Sequence, residues 1–243
     1  MLALLALLLA APTTDCAPAP NYGRVTECEV RTLTLGARES LVVRSPVSGG
    51  IQVVAWDRDE IGVRAEVRAF ETDERTTAEL LAAAEIRTTD TLTTDLDGGG
   101  WVESRFILSV PRHIDLDLWT NNGSVTVEGV SGDLHIDTNN GAVRLAGLGG
   151  DVTARSNNGS VTVDLDGATW DGAGLDAFAN NGTLTLRVPD GYDAIVEAAV
   201  RWGYINEPDA LSPASETRKV WFGRGGPTLS VGANSGSVQI ERG

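Results

Sequence analysis

The sequence predicts an all-β fold: a β-solenoid, or β-helix-like stack of two-strand coils about 18 residues long, with an N-terminal β segment and one short helix. The tripeptide Asn-Asn-Gly returns as Asn121-Asn122-Gly123, Asn139-Asn140-Gly141, Asn157-Asn158-Gly159 and Asn180-Asn181-Gly182. Apolar residues keep fixed offsets around it, with Leu116 and Leu118, Leu134 and Ile136, Val152 and Ala154, and Leu175 and Ala177 before, and Val125 and Val127, Val143 and Leu145, Val161 and Val163, and Leu184 and Leu186 after. Period-two alternation on both sides means two short strands, each with one buried face. The first two intervals are both 18 residues and the third is 23, and a fixed short period is what stacked coils produce.

Each triplet is expected to form the turn between its two strands, with glycine at positive φ and the asparagine amides bonded from coil to coil. The residue before it (Thr120, Thr138, Ser156, Ala179) shares the buried face. Fainter copies run through Val196, Ala198 and Val200 before Arg201-Trp202-Gly203, and through Leu229, Val231 and Ala233 before Asn234-Ser235-Gly236. Six coils at the spacing of neighbouring strands make a rod about 25–30 Å long.

From the N-terminus, Met1 to Ala11 is almost wholly Leu and Ala, the length of a signal-peptide core and too short to span a bilayer as a helix. Residues 1–16 are therefore expected to be a signal peptide and residues 17–38 an irregular lead-in, with a first strand near Arg31 to Leu35. Residues 39–243 form a single domain, divided into an N-terminal β segment (39–111) and the Asn-Asn-Gly coils (112–243). Strands are expected at Ser40 to Arg44, Ile51 to Asp57 and Ile61 to Ala69, and a helix over about 77–86, where Thr76 and Glu79 read as a capping box. Its expected role is to cover an open end of the β structure. Thr88 to Asp97 and Trp101 to Val110 read as two strands around Gly98-Gly99-Gly100, and Asn206 to Lys219 as a surface loop.

Composition narrows the function classes. With 34 acidic and 19 basic residues the net charge is −15 and no Lys/Arg run is present, which excludes a nucleic-acid backbone as partner. No stretch beyond the N-terminus is long and apolar enough to span a membrane, so the mature chain carries no transmembrane segment and is expected outside the cytoplasm, in the periplasm or at the surface. Cys16 and Cys28 can pair in an oxidising compartment if Cys16 survives cleavage; otherwise Cys28 stands alone.

The order of motifs resembles the DUF4097 family of adhesin-like, β-strand-repeat proteins. The resemblance covers about Glu39 to Arg242: Gly50-Ile51-Gln52-Val53, Trp56-Asp57-Arg58-Asp59, the short helix, Phe106 to Pro111, the coils, Val188-Pro189-Asp190-Gly191-Tyr192 and Gly223-Arg224-Gly225-Gly226. It implies an exported β-solenoid domain of bacterial envelopes, without a common activity and without catalytic residues to carry over.

Several outward positions carry candidate chemistry. Trp119 and Phe178, two residues before their triplets, and Trp202 in the fifth turn are the ligand-binding candidates, since an exposed aromatic stacks on a sugar ring or anchors a protein partner. The alternative is packing beneath the helix or the long loop. Asp115, Asp133 and Asp151 share one offset and would stack three carboxylates, a conceivable calcium column as well as an ordinary set of strand ends. Asp95-Leu96-Asp97-Gly98 lacks the glutamate that closes an EF-hand loop and reads as a hairpin turn. A glycosidase would need two carboxyls, one of them kept protonated; Asp117, Asp137, Asp164, Asp166 and Asp176 are available, and His135 is expected beside Asp117. No Ser-His-Asp order, nucleotide loop or His/Cys metal spacing is visible, so no cofactor is called for. The reading is a non-catalytic envelope or surface interaction module for an envelope protein or polysaccharide. The alternatives are a carbohydrate-active lyase or hydrolase, and a structural or signalling component without a soluble ligand.

Overall fold

The computed structural model describes Cys16 and residues 24–96, 100–207, 210–213 and 217–243. The expected signal peptide lies outside these residues apart from Cys16, as do Asp97 and Gly98 and parts of the 206–219 loop. The described residues are mostly strand, with one helix. In order the elements are β1 (Val25–Leu35), β2 (Ser40–Ser45), β3 (Ile51–Trp56), β4 (Ile61–Glu71), α1 (Glu74–Ala83), β5 (Ala84–Arg87), β6 (Thr93–Leu96) and β7 (Val102–Pro111). The repeat region holds β8 (Asp115–Asn122), β9 (Val125–Glu128), β10 (Ser131–Asn140), β11 (Val143–Ala146), β12 (Gly149–Asn158), β13 (Val161–Asp164) and β14 (Gly174–Val188). β15 (Ala194–Glu207), β16 (Ala210–Pro213), β17 (Thr217–Phe222) and β18 (Thr228–Arg242) follow.

Equal spacing becomes parallel register. β8, β10, β12 and the first half of β14 pair in parallel, aligning Leu116, Leu134, Val152 and Leu175. After each triplet the chain enters a second parallel run through β9, β11, β13 and the second half of β14, aligning Val125, Val143, Val161 and Leu184. Both apolar rows are buried in one continuous core, because a strand slipped by one residue would turn its whole apolar set to water. The 23-residue interval puts its surplus into the return from β13 to β14. There Trp170 is buried at 4 % exposure, its indole N–H donating to Gly150 O at 3.0 Å.

One unit extends this arrangement beyond the sequence pattern. β2 pairs in parallel with β8 and β3 with β9, so residues 40–56 form one more unit, with Ser45 to Gly50 replacing the triplet. At the other end the spatial order departs from the chain order: β18 pairs with β14 on one side and β15 on the other. The unit counted sixth therefore lies between the fourth and the fifth. β15 becomes the outer strand, and β16 and β17 return antiparallel to it.

The triplet corners correct the expected turn. The glycines with φ in the left-handed region do not include Gly123, Gly141, Gly159 or Gly182. What excludes a side chain there is the neighbouring unit: a Cβ on Gly141 would lie 1.9 Å from Gly123 O, and one on Gly159 2.0 Å from Gly141 O. The preceding hydroxyls close the same corner from inside, Thr120 Oγ1 donating to Gly49 O at 2.7 Å, Thr138 Oγ1 to Gly123 O at 3.0 Å and Ser156 Oγ to Gly141 O at 2.8 Å. These hydroxyls are buried, so each needs such an acceptor.

The N-terminal segment differs in detail from its expected form. The stretch expected to be irregular, 17–38, contains β1, whose eleven residues pair antiparallel with β4. Cys16 is joined to Cys28 on that strand by a disulfide. The helix begins earlier than the capping-box reading places it: Asp73 is the N-cap, its carboxylate accepting from Thr76 N at 2.9 Å and from the Thr76 hydroxyl at 2.8 Å. A carboxylate caps well, which moves Thr76 to the third helical position. The helix stops at Ala83, and β5 pairs with β6 instead of β6 pairing with β7; β7 lies between β3 and β4. α1 packs Leu81 into the core, and Arg31 on β1 donates to Leu81 O at 2.8 Å and to Ala84 O. A guanidinium at the C-terminal end of the helix satisfies carbonyls that lack intrahelical partners.

Candidate functional site

The outward face of the first parallel run brings together residues that are far apart in sequence. Register places Arg44, Trp119, Asp137, Arg155, Phe178, Gly232 and Ala199 in one row across seven strands. Trp119 and Phe178 are thus three strands apart, about 14 Å at the spacing of paired strands, with Asp137 and Arg155 between them. They border an open groove of about 500 Å³ whose edge is formed by Asn139, Asn157 and Asn180. Phe178 also borders a hollow with Ala199, Arg201 and Thr217, at the described end of the long loop. Its ring lies on the backbone of Gly232, where a Cβ would come within 3.0 Å of Phe178 Cδ2.

Ion pairs anchor the polar floor from the adjacent row. His135 Nε2 lies 2.8 Å from Asp137 Oδ2, Arg155 pairs with Asp176 at 3.4 Å, and Arg44 pairs with Asp117. His135 stands beside Asp117 in register, yet its ring turns to Asp137. Exposed pairs of this kind add little stability, but they fix where the side chains point.

The groove edge is built by amide ladders. Asn139 Nδ2 donates to Asn121 Oδ1, Asn157 to Asn139, Asn180 to Asn157 and Asn234 to Asn180, at 3.0, 2.9, 2.6 and 2.9 Å. A second ladder joins Asn140 to Asn122, Asn158 to Asn140 and Asn181 to Asn158. An amide that donates once and accepts once retains a second N–H and a second lone pair, so the ladder offers a regular series of donors and acceptors to the groove.

Elsewhere the candidates separate. Trp202 lies at the corner of β15, 65 % exposed, in register with Ser235 and away from the groove. Asp133 and Asp151 are neighbours in register, but the Asp115 carboxylate accepts Asp133 N at 2.8 Å. Among the described residues no three His, Cys, Asp or Glu side chains are grouped to hold a metal ion. Asp164, one of the five carboxylates considered for catalysis, sits on the other parallel run and bridges Arg144 and Arg187 at 2.6 and 2.9 Å. Asp166 accepts Gly167 N. Farther along, the Arg224 backbone N–H, and then its guanidinium, hold the Asp193 carboxyl below its usual range. Burial, reinforced by the charge of Asp166, pushes the Tyr192 hydroxyl up to about 12.

Two features escaped sequence reading. The buried hydroxyls of the corners sit at positions read only as part of the inward face. Trp170 shows no periodic signal because it lies in the five-residue surplus.

No protein-family model matches the sequence, and no curated protein matches it. Solved structures give weak likenesses. A candidate cell adhesion protein from Clostridium sporogenes is 12 % identical, with a TM-score of 0.43 over 90 % of this chain and 100 % of that one. A candidate adhesin from Bacteroides fragilis is 13 % identical, with a TM-score of 0.42 over 88 % and 96 %. A candidate lipid binding protein from Parabacteroides distasonis is 9 % identical, with a TM-score of 0.34 over 88 % and 96 %.

Proposed function

We propose that the chain is an exported, non-catalytic interaction module of the cell envelope, built as a β-solenoid of the adhesin-like DUF4097 kind. In this reading the signal peptide lies within residues 1–16 and is cut before Cys16, so that the disulfide to Cys28 is kept, and residues 39–243 are its single domain. The successive 18-residue units are coils, and the outward face of the first run is the binding face. One observation carries the reading: two aromatic side chains, supplied by units 59 residues apart in the chain, share one outward row with an aspartate and an arginine between them. Apolar side chains on a solvated sheet face, held by their neighbours in fixed orientation, supply contact area at low entropic cost. The partner is an envelope polysaccharide or protein. Among the described residues no helix is long and apolar enough to cross a membrane.

The ion pairs support the non-catalytic form of this reading. Asp117, Asp137, Asp164 and Asp176 each face a cationic or histidine partner at the surface, whereas an acid catalyst needs a carboxyl kept protonated by an apolar site. The test is a binding screen of the purified protein against envelope polysaccharides and envelope protein extracts, with and without calcium, scoring bound ligand and released sugars together. Saturable binding without products is expected. Turnover products would refute the non-catalytic reading, and loss of binding in chelator would restore the Asp115, Asp133 and Asp151 column as a calcium site.

A further inference from the structure

We propose that the groove between Trp119 and Phe178 is a subsite for an uncharged polysaccharide strand lying across the parallel β-strands, with one sugar ring on each aromatic wall. The proposal rests on the interaction-module reading and names the ligand class for the same face.

Geometry, chemistry and charge support this occupant. Trp119, Asp137, Arg155 and Phe178 come from four successive strands, so the groove presents one side chain about every 4.8 Å. That step is close to the length of one pyranose unit in an extended glycan, which places sugars against the floor one strand at a time. The walls offer flat apolar faces to the C–H faces of sugar rings. Phe178 is held in place by its seat on Gly232. Between the walls, Asp137 accepts hydrogen bonds and Arg155 donates them, and the Asn139, Asn157 and Asn180 amides retain unused donors and acceptors. Alternating donors and acceptors suit hydroxyl groups, which do both.

Charge decides against an anionic glycan. On the rows beside the groove stand Asp115, Asp117, Asp133, Asp151 and Asp176, while Arg44 and Arg155, the two cations of the row that carries Trp119 and Phe178, are each already paired with a carboxylate. The whole chain carries −15, so a polyuronate would approach against a repulsive field. An uncharged strand meets neither this repulsion nor the cost of stripping water from a charge.

Affinity electrophoresis of the full protein tests this, in gels containing neutral β-glucan, α-glucan, mannan or galactan, or alginate, or chitosan, each at low and high salt. At least one neutral polysaccharide should retard the protein at both salt concentrations. Trp119→Ala should weaken that retardation by about ten-fold or more, the loss typical of a central aromatic anchor. Trp119→Phe should restore most of it, and Trp202→Ala should leave it unchanged. The Phe variant keeps the test valid if Trp119→Ala unfolds, which its thermal midpoint reports. Retardation by alginate alone, by chitosan alone in a salt-sensitive way, or by a neutral glycan equally in wild type and Trp119→Ala would overturn the groove assignment. So would the absence of retardation in every gel. The interaction-module reading falls separately, if sugar products are released or if the screen of envelope polysaccharides and protein extracts shows no binding at all.

Discussion

Replacing Gly141 by alanine puts a methyl group 1.9 Å from Gly123 O and 3.1 Å from Thr138 Oγ1. Both neighbours belong to packed corners, so the two units must part by roughly 1 Å. Three hydrogen bonds span that gap: Thr138 Oγ1 to Gly123 O, Asn139 to Asn121 and Asn140 to Asn122, all between 2.9 and 3.0 Å. Stretching each by such an amount takes it past the length of a hydrogen bond. Overpacking costs about 1–3 kcal/mol, and the lost bonds add about 1 kcal/mol for the buried hydroxyl and less for each exposed amide. A total of about 3–4 kcal/mol corresponds to a Tm lowered by about 10 °C in a chain of this size. Thermal unfolding followed by circular dichroism measures it, with Gly36→Ala as control, since nothing lies within 4 Å of that site. Gly141→Asn separates the two explanations for the glycine. Asparagine tolerates a left-handed backbone, so a φ requirement would leave it nearly neutral, whereas steric exclusion makes it at least as harmful as alanine. A midpoint for either Gly141 variant no lower than that of Gly36→Ala would refute the close-approach account.

Thr138→Val keeps the shape but leaves Gly123 O without its hydroxyl donor; denaturant unfolding should show a loss of about 1–2 kcal/mol, and an unchanged midpoint would mean the carbonyl finds another donor. Reducing the disulfide between Cys16 and Cys28, which are twelve residues apart, should lower stability by about 3 kcal/mol on a chain-entropy account, read as the difference in Tm with and without reductant. Asp193 is held at a lowered value by Arg224. Its contribution is therefore complete above the ordinary carboxylate range and disappears as pH falls through the lowered value; Asp193→Asn should flatten that part of the acid limb of a stability–pH curve. Tyr192 behaves oppositely: raised to about 12, it stays protonated in the fold where the unfolded chain ionises, so its contribution is full below about pH 10 and lost as pH rises through 12. Absorbance titration of tyrosinate should show a late component that is absent from Tyr192→Phe.

Particular residues show what the sequence made legible. Leu116, Leu134 and Val152 could be aligned because a parallel ladder at constant interval repeats its inward set at constant offset. Sequence reading by the same arithmetic put Trp119 and Phe178 at one offset, but not Asp137 and Arg155 between them, nor the seat of Phe178 on Gly232. The glycine of each triplet was visible, but its reason was not, because contact between successive units depends on stacking distance and leaves no local mark. The unit of β2 and β3 was hidden by its corner, Ser45 to Gly50, which shares only the small residues of the others. The order β14, β18, β15 could not be read at all: apolar alternation says that a strand has neighbours, not which ones. At α1, Thr76 and Asp73 both satisfy the pattern of a cap, and the contest was decided by the carboxylate accepting two bonds from Thr76.

The placement of β18 bears on how the protein is assembled as it is made. β14 and β15 are both synthesised before the strand that separates them in the sheet. Until residues 228–242 emerge, those two earlier strands lack a shared neighbour and expose pairing edges that would fit each other out of place. A chain that emerges N-terminus first would therefore complete its stack at one late event, the slotting of a keystone strand between two waiting ones. An error at that event, β15 closing directly onto β14, would leave β18 outside as an unpaired apolar edge.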